Sequence, residues 1–149
     1  MTSIKIKIKK KPGYEDLSLP AYMSAGAAGM DLSAAIEEDT VIAPVEIRYI
    51  PAGIYIALPE GYEAQIRPRS GLARKYGLSI VNSPGTVDSD YRGEVGVIMV
   101  NLGAESVTIT RGMRIAQMVI QEVVRADWEK VATLDRTERN AGGFGGTGV

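Results

Sequence analysis

The chain reads as a series of short, β-branched runs cut by turn sequences, and no stretch sustains a 3.6-residue apolar stripe. Ile4, Ile6 and Ile8 alternate with Lys5, Lys7 and Lys9. That is the period-two pattern of a half-buried strand with its lysines on the wet face. Further strands are predicted at Met30 to Ala34, Val41 to Ala43, Ile47 to Ile50, Gly53 to Leu58 and Tyr62 to Ile66. The series continues at Leu78 to Val81, Val95 to Asn101, Val107 to Ile109 and Ile115 to Val124. Pro51-Ala52-Gly53 and Pro59-Glu60-Gly61 are turn sequences. One short helix is predicted over Ser70 to Tyr76, with Ser70 as cap and Gly77 as terminator. Asp127 to Asp135 suits either a second short helix or a loop. Closely spaced strands and missing helices imply an all-β barrel or sandwich, and 149 residues suit a single domain.

Composition narrows the chemistry. The chain contains no His and no Cys. Imidazole bases, thiolate nucleophiles, disulfides and zinc thiolate sites are therefore excluded. A metal would have to be a hard cation held by oxygen. The 17 Lys and Arg against 18 Asp and Glu give a net charge of −1, which argues against direct nucleic-acid binding but leaves room for a local anion pocket. No apolar run approaches the roughly 18 residues of a membrane span, and no apolar leader segment follows the N-terminal lysines. A cytoplasmic protein is expected.

Four segments carry candidate chemistry. Arg67-Pro68-Arg69-Ser70-Gly71-Leu72-Ala73 follows a strand and opens the helix. Its backbone N–H groups, hydroxyl and guanidinium charges suit an anion site, and equally an ordinary cap beside surface arginines. Gly85-Thr86-Val87-Asp88-Ser89-Asp90-Tyr91-Arg92-Gly93 offers a carboxylate for general-base work, or simply an acidic surface turn. Asp31 stands beside an apolar strand. Gln117 interrupts the apolar run from Ile115 to Ile120 and needs partners if it faces inward. Beyond Asp135 the chain is polar and then glycine-rich, ending Gly142-Gly143-Phe144-Gly145-Gly146-Thr147-Gly148-Val149. Such a segment cannot build a core. It suits a loose tail or a strap over a ligand, with the only Phe of the chain available for stacking.

Taken in order, five of these segments resemble the motifs of the trimeric deoxyuridine triphosphate nucleotidohydrolase (dUTPase) family. They are 28–34, 67–73, 82–94, 112–120 and 139–148. The resemblance implies a distorted jelly-roll catalytic domain over 1–134 and a C-terminal arm over 135–149 that closes a neighbouring subunit's site in a homotrimer. It implies hydrolysis of dUTP to dUMP and pyrophosphate with Mg²⁺, which supplies dUMP for thymidylate synthesis and limits uracil in DNA. By resemblance, Asp88 activates the water. Arg69, Ser70, Gly71, Gln117, Arg139 and Thr147 hold the phosphates. Asn82, Gly85, Thr86, Val87, Tyr91 and Phe144 contact the uracil and deoxyribose. Asp31 belongs to the metal-water network, and Mg²⁺ is bound mainly through substrate phosphates and waters. Two positions depart from the pattern: Asn140 replaces an expected glycine, and Gly146 an expected serine.

Overall fold

A computed structural model describes residues 3–144. Eleven strands and one helix follow each other along them. The strands are β1 (Lys7–Lys10), β2 (Met30–Ser33), β3 (Thr40–Ile42), β4 (Ile47–Pro51), β5 (Ile54–Ala57) and β6 (Tyr62–Arg67). Helix α1 (Ser70–Tyr76) precedes β7 (Leu78–Ile80), β8 (Gly85–Val87), β9 (Gly96–Asn101), β10 (Val107–Ile109) and β11 (Arg114–Glu122). All the ladders are antiparallel. They form a four-stranded sheet β2-β11-β6-β8, a three-stranded sheet β4-β9-β7, and the pairs β1-β5 and β3-β10. The ladders do not close into a barrel. The predicted all-β class with one short helix holds.

Alternation along the strands explains the core. Leu32, Ala64, Ile66, Val87, Ala116 and Met118 point inward from the four-stranded sheet. Ile50, Leu78, Ile80, Val97 and Met99 point inward from the three-stranded one. A period of two allows this only if each strand keeps its register, because a one-residue slip would expose the whole set. Among the described residues, Asn101 is the one buried polar residue. Its Nδ2 donates to the carbonyls of Ile42 (2.9 Å) and Glu105 (2.7 Å), and its Oδ1 accepts from Gly103 N–H (2.9 Å). One side chain thus ties β9 to β3 and to the following turn.

Several boundaries differ from those predicted. The first strand begins at Lys7, so Ile4 and Ile6 are half-buried without a ladder and Ile8 is exposed. Ser70 is the first helical residue rather than the cap. The cap position is Arg69, whose backbone is extended and whose side chain makes no capping bond. An arginine side chain ends in donors only and cannot accept from the free helix N–H groups. Gly77 does terminate the helix, at φ 71°. A Cβ there would also meet the Gly103 backbone nitrogen at 2.6 Å, so glycine is required for both conformation and packing. The segment 123–144 carries no strand or helix, which settles the 127–135 stretch as a loop.

Candidate functional site

Strand register assembles the first half of the site. Gln117 of β11 lies opposite Asp31 of β2 on one side and opposite Arg67 of β6 on the other. Directly opposed residues share a face, so three polar side chains form one row across the sheet, on the side away from the core. Asp31 accepts from Arg69 Nε at Oδ1 and from Arg114 Nη1 at Oδ2, both at 3.0 Å. Arg69 Nη1 also donates to the Arg114 carbonyl at 3.1 Å. Both carboxylate oxygens of Asp31 are therefore engaged by guanidinium groups. One carboxylate offsets one of the two positive charges and holds both, leaving a net positive cluster with unused N–H donors.

Gln117 Nε2 donates to the Pro68 carbonyl at 3.0 Å, which ties β11 to the residue before Arg69. Ser70 and Gly71 follow as the first residues of α1, and both are exposed. Arg67 is partly spent elsewhere: its Nη2 and Nε donate to Gln65 Oε1 at 2.6 and 3.2 Å.

The second half lies beyond β8. There the backbone turns, with Tyr91 N–H donating to the Asp88 carbonyl at 3.2 Å, and the Asp88 side chain is exposed. An open depression of about 610 Å³ is lined by Glu60, Tyr62, Glu63, Asp88, Asp90 and Arg92, among others. Neither Arg69 nor Gln117 lines it. Tyr91 donates its hydroxyl to the Glu94 carbonyl at 3.0 Å and rests on Gly93, where a Cβ would meet the phenolic oxygen at 2.2 Å. The Glu94 carboxylate anchors the end of this loop to Lys11 Nζ (2.9 Å) and Gly53 N–H (3.1 Å). That bond to Glu94 raises Lys11 above its ordinary pKa of 10.5.

Asn82, on the approach to β8, is exposed, and its amide folds over Gly85, where a Cβ would meet Nδ2 at 3.1 Å. The strands flanking this turn pair with different partners, β7 with β9 and β8 with β6. The turn is therefore a connection between two sheets and not the tip of a two-stranded ladder. Val87 is buried and Thr86 exposed, as strand alternation requires.

In the C-terminal segment, Arg139 Nε donates to the Gly142 carbonyl at 2.6 Å and Gly142 N–H returns a bond to the Arg139 carbonyl. Asn140 has φ 42°, the left-handed conformation that glycine favours and asparagine tolerates. The replacement of the expected glycine is thus conformationally compatible. Phe144 is fully exposed. Thr147 and Gly146 lie outside the described residues.

The structure thus brings together Asp31, Arg69 and Gln117, with Ser70 and Gly71 adjoining, and groups Asp88, Tyr91, Gly85 and Asn82 around the β8 turns. It does not join the two groups. Arg114 was missed by sequence reasoning. Its signal was a single cation opening the otherwise apolar run toward Gln117. Among the described residues, no group of three or more His, Cys, Asp or Glu side chains is placed to hold a metal, and no helix is long and apolar enough to cross a membrane.

Comparison with known proteins places these features. The dUTPase family model matches residues 15–148. A protein of Thermoanaerobacter sp. (strain X514) named deoxyuridine 5'-triphosphate nucleotidohydrolase is 57% identical over 147 residues, covering 99% of each chain. One of the same name from Caldanaerobacter subterraneus subsp. tengcongensis is 59% identical, with the same coverage. Among solved structures, a Staphylococcus bacteriophage 80alpha dUTPase variant with dUpNHpp superposes with a TM-score of 0.86 at 24% identity, covering 99% of this chain and 100% of that one. A variant of the dUTPase from phage phi11 of S. aureus, described with a structural Mg(II) ion, has a TM-score of 0.78 at 21% identity, covering 89% of this chain and 100% of that one. These two likenesses show the shared fold.

Proposed function

The chain belongs to the dUTPase family, and from that premise we propose that it hydrolyses dUTP to dUMP and pyrophosphate in the cytoplasm. The observation that carries the chemical reading is the pair Arg69 and Arg114 clamped on Asp31 beside Gln117. A clamp with surplus positive charge and free donors is suited to a polyphosphate, and the family identifies which one. Arg69 and Gln117, with Ser70 and Gly71 at the start of α1, bind the phosphates. Arg139 and Thr147 of the arm complete the grip.

Asp88 accepts the proton of a water as its oxygen attacks the α-phosphorus in line with departing pyrophosphate. An exposed carboxylate in a chain without His is the available base. Arginine and backbone donors offset charge that grows on the phosphate oxygens. The described residues contain no protein metal cage, which fits a Mg²⁺ held through substrate phosphates and waters. When bound there, Mg²⁺ neutralises phosphate charge. Asp31, with both oxygens on arginines, contributes by holding those arginines more directly than by reaching the ion.

Asn82 and the backbone from Gly85 to Val87 read the uracil edge. Cytosine presents the opposite donor pattern, and each buried group left unpaired costs about 1–3 kcal/mol. Tyr91 packs under the deoxyribose, and Phe144 covers the base.

The two halves of the site also support sites shared between copies of the chain, and the family resemblance makes that assembly a homotrimer. Val87 lies opposite Ala64, so Asp88 projects past the Glu63 end of β6, while Arg69 follows its Arg67 end. At roughly 3.3 Å per residue, the strand between those ends spans about 13 Å. A copy of the chain supplying Asp88 beside the arginine clamp of another closes that gap. The arm, residues 135–149, closes over a neighbour's site.

Pyrophosphate release with Mg²⁺ from dUTP, dCTP, dTTP and UTP tests the function. Turnover confined to dUTP is the expected result. Ammonia release from dCTP, or no hydrolysis of any of the four, contradicts it.

A further inference from the structure

We infer that Gly29 is a positioning residue, whose missing side chain makes the space in which the Gln117 amide is held for phosphate. Gly29 immediately precedes β2, two residues before Asp31, and so lies on the same side of the strand as Asp31. Its φ lies outside the left-handed range, so nothing in the backbone conformation there calls for glycine. The requirement is spatial. A Cβ at position 29 would stand 2.5 Å from Gln117 Oε1 and 3.3 Å from both Gln117 Cβ and Cδ.

The Gln117 carboxamide is thus confined between two neighbours. Its Nε2 donates to the Pro68 carbonyl at 3.0 Å, and its Oε1 occupies the clearance over Gly29. One Nε2 hydrogen remains for a ligand. Because Pro68 precedes Arg69, the same contact sets the entry into the arginine clamp. The atom met first by a new Cβ is the tip of a flexible side chain. The fold can relieve the clash by swinging Gln117, at little cost in stability. The cost then falls on ligand binding, since the amide leaves both Pro68 and the phosphate.

This inference rests on the reading of Gln117 as a phosphate ligand, and a double-mutant cycle separates the two. Gly29→Ala, Gln117→Ala and the double variant are compared by kcat/KM for pyrophosphate release from dUTP and by thermal midpoint. Loss of a hydrogen bond to a charged group corresponds to a fall in kcat/KM of roughly tenfold to a hundredfold for Gly29→Ala, with a midpoint within about 2 °C of the parent. The double variant should match Gln117→Ala within about twofold, because the 2.5 Å clash leaves with the amide and the 3.3 Å contact that remains with the Cβ needs only a small shift. Parent-like kcat/KM in Gly29→Ala overturns the inference, as does a loss that multiplies in full with that of Gln117→Ala. Parent-like turnover in Gln117→Ala overturns the ligand reading itself and the inference with it. Should Gly29→Ala fail to fold, a folded double variant supports the steric opposition, and an unfolded one overturns it.

Discussion

Asp88 and Arg69 stand at opposite ends of β6, the first beyond Val87 at the Ala64 level and the second just past Arg67. A base must lie within about 3 Å of the proton it takes, or act through one water. If Asp88 works on a phosphate held by another copy's Arg69 and Gln117, two inactive variants should rescue each other. Mixed oligomers of Asp88→Asn and Gln117→Ala, co-refolded in equal amounts, should regain about a quarter of the parent activity. Each variant alone should remain nearly inactive. No recovery in the mixture would place both halves of the site in one copy.

Asp88→Asn removes the proton acceptor while preserving shape. Turnover should fall by about 10²–10⁴, the range for general-base catalysis, with nucleotide affinity kept within a few-fold. Calorimetric titration with a non-hydrolysable dUTP analogue reads the second quantity. Asp88 is exposed, so the substitution should leave the thermal midpoint unchanged.

Deleting residues 141–149 removes Phe144 and Thr147 but no part of the sheets. Turnover should collapse while light scattering still reports the parent's oligomer mass. Full activity after truncation would show that the arm is dispensable.

Asn101 carries a stability prediction. Its side chain satisfies the Ile42 and Glu105 carbonyls and the Gly103 N–H. Asn101→Ala leaves all three unpaired in or near the core, and each costs about 1–3 kcal/mol. A loss of about 3 kcal/mol or more is expected by denaturant unfolding.

The Glu46 carboxylate accepts from Ala43 N–H at 2.8 Å and closes the turn that carries Val45. That backbone bond, helped by Arg48, holds its pKa below the ordinary 4.5. A depressed carboxylate contributes stability that is present above its unfolded pKa and lost as the pH falls through the folded value. The parent should therefore lose stability below about pH 4.5 more steeply than Glu46→Gln, whose profile should be flatter there. Thermal midpoints across an acid series check this. Parallel profiles would remove Glu46 from the account.

Ten of the eleven strands were legible because their alternation is set by which face is buried, and most of their boundaries fell within two or three residues; β8, three residues long and opening on a glycine, was not. The first strand was less legible, because Ile4 and Ile6 gain burial without hydrogen-bonded partners. Ser70 looked like a cap from its residue type alone, whereas the cap position falls one residue earlier, at Arg69, whose guanidinium is bonded to Asp31. Of the site, the identity of Asp31, Arg69 and Gln117 could be read from motifs. Their union depends on the antiparallel register of β2, β11 and β6, which brings together residues 38 and 83 positions apart. For the same reason Arg114 was invisible as a partner of Asp31, and the separation of Asp88 from the clamp could not be foreseen. Residue types survive in the sequence, but distances across a sheet do not.

The proposal that water attacks the α-phosphorus is tested most directly by turnover of dUTP in H₂¹⁸O with Mg²⁺. Mass spectrometry should find the label in dUMP and none in pyrophosphate. Label in pyrophosphate would contradict attack at the α-phosphorus, and unlabelled products or no turnover would contradict hydrolysis.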